Sequence, residues 1–352
     1  MGKYAIKGAP WIIRGAIDVS DCQTSEEVMI KAGLNYRVDK CPLVAQMEFD
    51  INQQDKILDD INAGNAFTNN GKIYRECPNS FATYRTDINI PLGNVKSKYE
   101  IVQNTDAFKF FNDAIGKDRA IWQTAGCFGR GERIFVAAKL PNNINVNGDI
   151  CDDYLVFTNS HDGSGSVQIL FTPLRISCQN ALRAAIRQAE NFVRFKHTAS
   201  VHNNISTGAD ILGISEKLRK DAEELFIHLR EIRVTDDEVR VYIANNIMSN
   251  KEIENMFATD TNLLSIFNKN GSAIDNVGIS MRKVNQLVDT FDYYLQGPGQ
   301  PEIRGTAWGA YNAISGYYSN VDNAIGEKRL DSILFGSKAT AINNALSLAL
   351  SE

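Results

Sequence analysis

The sequence predicts an α+β protein in which an antiparallel, β-rich core with packed helices precedes a mostly helical C-terminal half. Two observations indicate this class. Between residues 83 and 176, short runs rich in β-branched and aromatic residues alternate with turn-forming segments, which is typical of antiparallel strands. Beyond residue 207, apolar residues recur at helical spacing through nearly every segment. We therefore expect a sheet first and a block of helices after it.

The 352-residue chain is long for one domain, and its patterns divide it into three regions. Residues 1–80 form a mixed N-terminal region packed on the core, with helical patterns at 25–32 and 50–63. Residues 81–205 form the β-rich core together with a basic helix, and residues 206–352 form the helical C-terminal region. No linker rich in proline, glycine or serine separates the first region from the second.

Strands of the core are expected on both sides of three turn-forming segments, at 91–94, 129–132 and 160–165. The predicted strands cover 82–88, 99–102, 119–128, 133–140, 154–159 and 167–171. A helix is expected over 105–115, and the asparagine-rich run 141–147 is expected to be a surface loop. The core is therefore predicted to be a set of hairpins with one helix packed on them.

Helical spacing returns after Arg175, where Ser177 is a candidate N-cap residue. Later helices are predicted over 209–232, 236–248, 281–296, 306–320 and 339–351. In the helix that starts at Thr306, Trp308 and Tyr311 share one face. Aromatic residues at this spacing usually belong to a core, and the alternative, a platform for stacking bases, requires that they be exposed.

Positive charge collects in one segment of an otherwise acidic chain, whose formal net charge is −5. Between residues 163 and 209, Glu190 is the only acid, and the basic residues are Arg175, Arg183, Arg187, Arg194 and Lys196. On a helix, positions 183, 187 and 194 would share one stripe. Arginines at this spacing suit contact with phosphates, and basic residues at hairpin tips would extend the surface: Lys96, Lys98, Arg130 and Arg133. The alternative is a solvated helix face whose arginines pair with acids of the C-terminal half.

No pattern in the sequence predicts a catalytic or metal site, so we expect no cofactor and leave open whether the protein is an enzyme. The six cysteines are scattered without a close pair. Cys178 lies at a predicted helix start, where a thiol becomes more acidic, and a Cys178-dependent hydrolase is a minor alternative, with His161 or His197 as the base. Both histidines read more simply as turn or surface residues. The absence of a long apolar run indicates a protein that does not span a membrane.

Several segments resemble the phage/plasmid-like protein family known as domain of unknown function 932. The segments are Tyr84-Arg85-Thr86-Asp87, Leu92-Gly93, Ile101-Val102-Gln103-Asn104, Asn159 to Ser164, Thr172 to Asn180 and Thr306 to Asn312. The family's early Trp-His is Trp11-Ile12 here, which argues against an essential histidine at that place. The resemblance implies a mobile-element source and brings no known catalytic residues. In outline, the predicted fold is also similar to that of phage single-strand annealing recombinases.

The basic residues, together with what the two resemblances imply, predict a cytoplasmic DNA-metabolism protein of a phage or plasmid in a host bacterium. It would bind single-stranded DNA and promote annealing and recombination without nucleotide hydrolysis, as a homo-oligomer. A phage exonuclease or a host protein is a possible further partner. The main alternative is a phage interaction protein that binds a host factor, for example to counter a defence system, through the acidic helical half.

Overall fold

Two antiparallel sheets and a block of helices make up the described part of the chain, and the predicted α+β class is confirmed. The structure is a computed structural model. It describes residues 16–48, 54–115, 121–175, 192–199, 201, 209–322, 332–333 and 336–350.

The strands fall into a six-stranded sheet, called sheet A, and a smaller sheet, called sheet B. They are β1 (Ile17–Asp18), β2 (Val38–Met47), β3 (Ala66–Asn69), β4 (Lys72–Arg85), β5 (Ile90–Val95), β6 (Ile121–Phe128), β7 (Arg133–Val146), β8 (Asp149–Ser160), β9 (Val167–Arg175) and β10 (Phe192–Phe195). Sheet A has the order β1-β6-β7-β8-β9-β10. Sheet B has the order β2-β4-β3, and β5 also pairs with β4.

Most helices lie in the second half of the chain. They are α1 (Ser25–Lys31), α2 (Gln54–Asn62), α3 (Asn104–Ile115), α4 (Ala209–Glu231), α5 (Asp236–Ile247), α6 (Asn250–Ala258), α7 (Leu263–Phe267), α8 (Gly271–Val277), α9 (Met281–Gln296), α10 (Ala307–Gly316) and α11 (Ser337–Ala349). A π-helical turn, Tyr317–Val321, continues α10. Capping boxes at Thr24, Thr235 and Ser249 define the starts of α1, α5 and α6. Among the described helices, none is both long and apolar enough to cross a membrane.

Helices α3 and α4 pack on one face of sheet A, and the alternation of side chains along β8 shows which face. Cys151, Leu155 and Phe157 are buried in the main hydrophobic cluster together with Phe226 of α4 and Trp308 of α10. This cluster contains residues from Val19 to Ala349, so it draws on all three regions predicted from the sequence. The opposite face of β8 contributes Tyr154 and Val156 to a second buried cluster.

Sheet B is divided by an irregularity in the pairing of β2 with β4 between Pro42 and Val44. Beyond it, Val44–Met47 pairs with Ile73–Glu76, β3 pairs with the same part of β4, and α2 packs against them. We call this unit, made of Val44–Met47, α2, β3 and Lys72–Glu76, the arm. The arm has a small hydrophobic cluster of its own, formed by Ile57, Ile61, Ala66 and Ile73. The predicted region boundary at residue 80 lies inside β4.

Two local predictions in the core are wrong. The run 141–147 is not a surface loop but mostly part of β7, where Ile144 and Val146 are fully buried and alternate with exposed asparagines. Burial of these two side chains outweighs the low strand propensity of asparagine. Residues 99–102 do not form a strand. The hairpin that follows β4 is completed by β5, which contains the segment predicted as a turn.

Candidate nucleic-acid interface

The turn between β8 and β9, residues 160–165, organises the region where most predicted cations lie. Within it, Asp162 accepts hydrogen bonds from the Ser160 hydroxyl (2.5 Å), the Ser164 amide (2.9 Å) and the Ser164 hydroxyl (2.7 Å). Burial works against ionisation of Asp162, but these hydrogen bonds hold its pKa below the usual value. The turn is therefore a rigid, negatively charged loop closed on itself.

Sheet B packs closely on this turn. A Cβ atom at Gly93 would overlap the backbone of Asp162, so only glycine fits there. Thr83 donates its hydroxyl to the carbonyl oxygen of His161 at 2.6 Å. Segments that carry the family resemblance, Leu92-Gly93 and Asn159 to Ser164, thus meet each other in space, and their contact fixes where the two sheets join.

His161 lies in this turn, as predicted, but its side chain is completely buried and not at the surface, and the side chain of His197 is buried as well. Its Nε2 atom lies 2.8 Å from the side-chain oxygen of Asn104, whose amide nitrogen donates to the carbonyl of Leu34 at 2.8 Å. Because Asn104 presents an acceptor, His161 donates from Nε2 as a neutral ring. Burial, reinforced by nearby His197, lowers its pKa to about 3. Its role in this fold is to fix the start of α3.

Tyr99 connects the turn with the chain that follows β10. Its hydroxyl donates to the carbonyl of Ser160 at 2.6 Å, and its ring stacks on His197 with centroids 4.5 Å apart. The amide of Glu100 also donates to the carbonyl of His197 at 3.2 Å. These contacts bring the segment containing Lys96 and Lys98 next to the segment containing Arg194 and Lys196. All four of these basic side chains are exposed.

Arg130, between β6 and β7, and Arg133, the first residue of β7, lie on the other side of the turn. Arg133 is opposite Ser160 in the β7–β8 register, and its guanidinium lies 5.8 Å from the ring centroid of Phe128. Arg130 is exposed, but it forms an ion pair with Glu132 at 3.2 Å. The structure therefore brings both groups of hairpin cations to one turn, although Arg130 is partly neutralised.

Arg85 lies beside the turn between β6 and β7 and was not among the predicted site residues. It forms a forked pair with Asp87, with distances of 3.1 Å from Nε and 2.7 Å from Nη2, and it donates to the carbonyl of Arg130 at 2.8 Å. Its guanidinium stacks 3.8 Å from the ring centroid of Tyr36. Every part of Arg85 is engaged within the protein, so it supports the turn rather than offering a free charge.

Arg175 lies in the interior and not on the predicted basic surface. It is the last residue of β9, it faces the helices opposite Cys151, and its side chain is fully buried. Its Nε donates to Asp149 at 2.6 Å and its Nη2 donates to the carbonyl of Gly299 at 2.8 Å. Asp149 also accepts from the indole of Trp308 at 2.7 Å, and Trp308 is buried in the core as expected. Arg175 thus joins sheet A to the C-terminal helices.

Arg194 lies in a strand, which is incompatible with its place on the predicted helix stripe. β10 pairs with β9, with Arg194 opposite Gln168. Arg183, Arg187 and Cys178 lie outside the described residues. Of the predicted basic residues that the structure describes, those that surround the β8–β9 turn are therefore Lys96, Lys98, Arg130, Arg133, Arg194 and Lys196.

One buried carboxyl lies apart from this turn. Asp153 of β8 is fully buried on the helix-facing side of sheet A, and no described residue forms a hydrogen bond with its carboxyl oxygens. Burial raises its pKa to about 8, against the opposing effect of Arg219 in α4. Over the described residues, His, Cys, Asp and Glu side chains form no group that would hold a metal ion.

Comparison with known proteins gives a family but no solved structure. The family model with the description "Domain of unknown function (DUF932)" matches residues 91–345, which is well over half of the 352-residue chain. No solved structure matches the chain. The matched segment contains the β8–β9 turn, Arg175 and Trp308, whereas the arm precedes it. The chain belongs to the DUF932 family.

Proposed function

We propose that this protein binds single-stranded DNA through the exposed lysines beside the β8–β9 turn and promotes annealing of complementary strands without nucleotide hydrolysis. The observation that supports this most directly is the stacking of Tyr99 on His197, with centroids 4.5 Å apart. It brings Lys98 and Lys196, which are 98 positions apart in sequence, to the two sides of one contact. A DNA backbone would meet positive charge from both segments.

The charge at this place is available to a partner. Lys96, Lys98 and Lys196 are exposed, and no acidic side chain among the described residues forms an ion pair with any of them. Uncompensated lysines attract phosphates, and the release of counterions from the DNA provides the free energy of binding. We call these three residues the lysine group.

The backbone that presents the lysine group is held in place. Lys40 donates to the carbonyl oxygens of Ser97 at 2.8 Å and Tyr99 at 3.0 Å, and Ser97 also donates its amide to Asn79 at 3.0 Å. A loop fixed before binding loses less conformational entropy when it contacts the DNA. Arg130, Arg133 and Arg194 would extend the contact along the same turn.

Annealing fits this surface because it needs no covalent step. A protein that holds two strands by their phosphates leaves the bases free to pair, and several copies side by side would extend the track. We therefore propose a homo-oligomer encoded by a phage or plasmid, acting in the cytoplasm of the host bacterium. An exonuclease that produces single strands is the corresponding partner.

The test measures binding of a fluorescent oligonucleotide, single-stranded and duplex, over a salt series, followed by annealing of two complementary oligonucleotides without nucleotide. We expect salt-sensitive, preferential binding of the single strand and faster annealing than in buffer. Equal affinity for duplex, or binding without annealing, would reduce the function to general DNA binding. Absence of binding at low salt would refute the proposal.

A second candidate, binding of a host protein, is favoured by one residue on the helical half. Phe257 of α6 is 75% exposed, the highest value among the large apolar side chains that are described as exposed. A helix that exposes an aromatic ring among polar neighbours is a common anchor for a partner. The test is capture of a host protein by the unchanged chain and by the Phe257→Ser variant. If the variant no longer captures that protein but still binds DNA, this second function is established beside the first.

A further inference from the structure

The arm has one covered face and one open face, which the register of its strands identifies. Ile73 and Ala66 point towards α2, where they form the small cluster with Ile57. Side chains alternate along a strand, so Tyr74 and Phe67, which are directly opposite each other in the β3–β4 pairing, lie on the other face. We call this second face, with its aromatic pair, the open face of the arm.

The aromatic pair has the geometry of a stacking surface. The rings of Phe67 and Tyr74 are nearly parallel, with an interplanar angle of 15° and centroids 5.3 Å apart. Phe67 remains 46% exposed, so the pair is not covered as aromatic rings in a core are. A planar ring that adds to this stack would bury its own face and the exposed part of Phe67 together.

The neighbours on the open face suit a nucleobase better than a second protein. Gln46 lies opposite Tyr74, and Asn69 lies opposite Lys72. Glu76, opposite Val44, is exposed on the same face, so two amides, one ammonium group and one carboxylate border the rings. Amides form hydrogen bonds with base edges, and lysine contacts phosphate. A stable protein interface buries about 800 Å² on each partner. Apart from Phe67, Val44 is the exposed large apolar residue of this face, so the face offers too little apolar surface for such an interface.

Strand β4 connects the open face with the lysine group. Asn79, which accepts the Ser97 amide, follows Tyr74 by five residues on that strand. At about 3.3 Å per residue, Tyr74 and Asn79 are no more than about 17 Å apart along the strand, and Ser97, between Lys96 and Lys98, contacts Asn79 directly. A short single strand therefore reaches from the lysine group to the aromatic pair.

We propose that the open face of the arm is a stacking site for unpaired nucleobases, with Phe67 and Tyr74 as the platform. This inference rests on the proposed binding of single-stranded DNA and adds the contact that distinguishes a single strand from a duplex. Bases in a duplex are stacked on each other and present no free face, whereas unpaired bases stack on aromatic side chains regardless of sequence.

The test compares Phe67→Leu, which keeps apolar bulk but removes the ring, and Phe67→Trp, which keeps a ring, with the unchanged protein. For each of the three proteins, the affinity for oligothymidylate and for an abasic strand of equal length is measured at one salt concentration. We expect Phe67→Leu to weaken oligothymidylate binding by about fivefold to a hundredfold, with little change for the abasic strand. Phe67→Trp should bind like the unchanged protein, and oligothymidylate should quench the fluorescence of the new indole.

Each other outcome has a distinct meaning. If Phe67→Leu binds oligothymidylate as tightly as the unchanged protein, which itself binds in a salt-sensitive way, the platform is refuted and DNA binding stands. If the unchanged protein binds neither strand, the proposed function fails and the platform with it. If Phe67→Leu lowers the oligomeric state in light scattering while affinity per protomer is unchanged, the open face is an interface between copies and the platform is refuted.

Discussion

Replacing the lysine group with alanine tests the proposed DNA contact quantitatively. In the Lys96→Ala, Lys98→Ala, Lys196→Ala triple variant, three exposed charges without ion pairs among the described residues are removed. If each contacts one phosphate, the slope of log affinity against log salt concentration should become shallower by about 2, since single strands contribute about 0.7 for each phosphate. A fourfold increase in salt concentration should then lower the DNA affinity of the unchanged protein by a factor about 20-fold larger than for the variant.

The measurement is fluorescence anisotropy of a labelled single strand at several salt concentrations. A matched control removes three exposed lysines of α4 and α6, in the Lys217→Ala, Lys220→Ala, Lys251→Ala variant, and leaves the lysine group intact. The control changes the net charge by the same amount as the test variant. Because it keeps the proposed phosphate contacts, its slope of log affinity against log salt concentration should equal that of the unchanged protein. Equal slopes for the two triple variants would refute the assignment of the contact to the lysine group.

The remaining predictions concern stability, measured by urea unfolding. Asp149→Ala should destabilise the protein by about 3–5 kcal/mol, because it removes the carboxylate that neutralises the buried guanidinium of Arg175; a loss below about 1 kcal/mol would contradict this reasoning. Gly93→Ala should cost about 1–3 kcal/mol, since the added methyl group overlaps the backbone of Asp162; unchanged stability would show that the turn moves freely. Asp153 stays protonated in the folded state up to pH about 8 but ionises above about 3.8 when unfolded, so folding loses stability as pH rises through that window. Asp153→Asn removes this dependence, and its stability relative to the unchanged protein should therefore increase from pH 4 to pH 8; a constant difference would contradict the raised pKa.

Local sequence signals predicted the longer helices and two of the hairpins well, but they did not predict the short helices α6, α7 and α8. α9 covers the predicted residues 281–296, because Ser280 caps it and apolar residues recur at helical spacing up to Gln296. The β6–β7 and β8–β9 hairpins were found from their glycine-containing turns. Such signals lie within a few residues of each other, so one sequence is enough to read them.

The arm was missed although its sequence contains a strong hairpin signal. Asn70 and Gly71, both with positive φ, form the two-residue turn between β3 and β4. The adjoining β4 contains Cys77-Pro78-Asn79, which resembles a loop and hides a 14-residue strand. A two-residue turn at Asn70 and Gly71 pairs the residues on either side in order, which places Phe67 opposite Tyr74.

The candidate site could be predicted only in part, because its assembly depends on distant contacts. The composition of the chain identified the basic residues, but the stacking of Tyr99 on His197 joins segments almost 100 residues apart. The interior position of Arg175 depends on Asp149 and Gly299, which no local pattern links to it. Side-chain type indicated the chemistry, and tertiary packing decided which cations stay exposed.

The link from Asp149 to Trp308 also has a consequence for synthesis of the chain. The two residues are 159 positions apart, so Asp149 leaves the ribosome long before its indole partner exists. Until then, the buried pair of Asp149 and Arg175 lacks both Trp308 and the carbonyl of Gly299. The β-rich half therefore reaches its final packing only after most of the chain has emerged, and a nascent chain stopped before residue 299 should remain sensitive to protease and depend on chaperones.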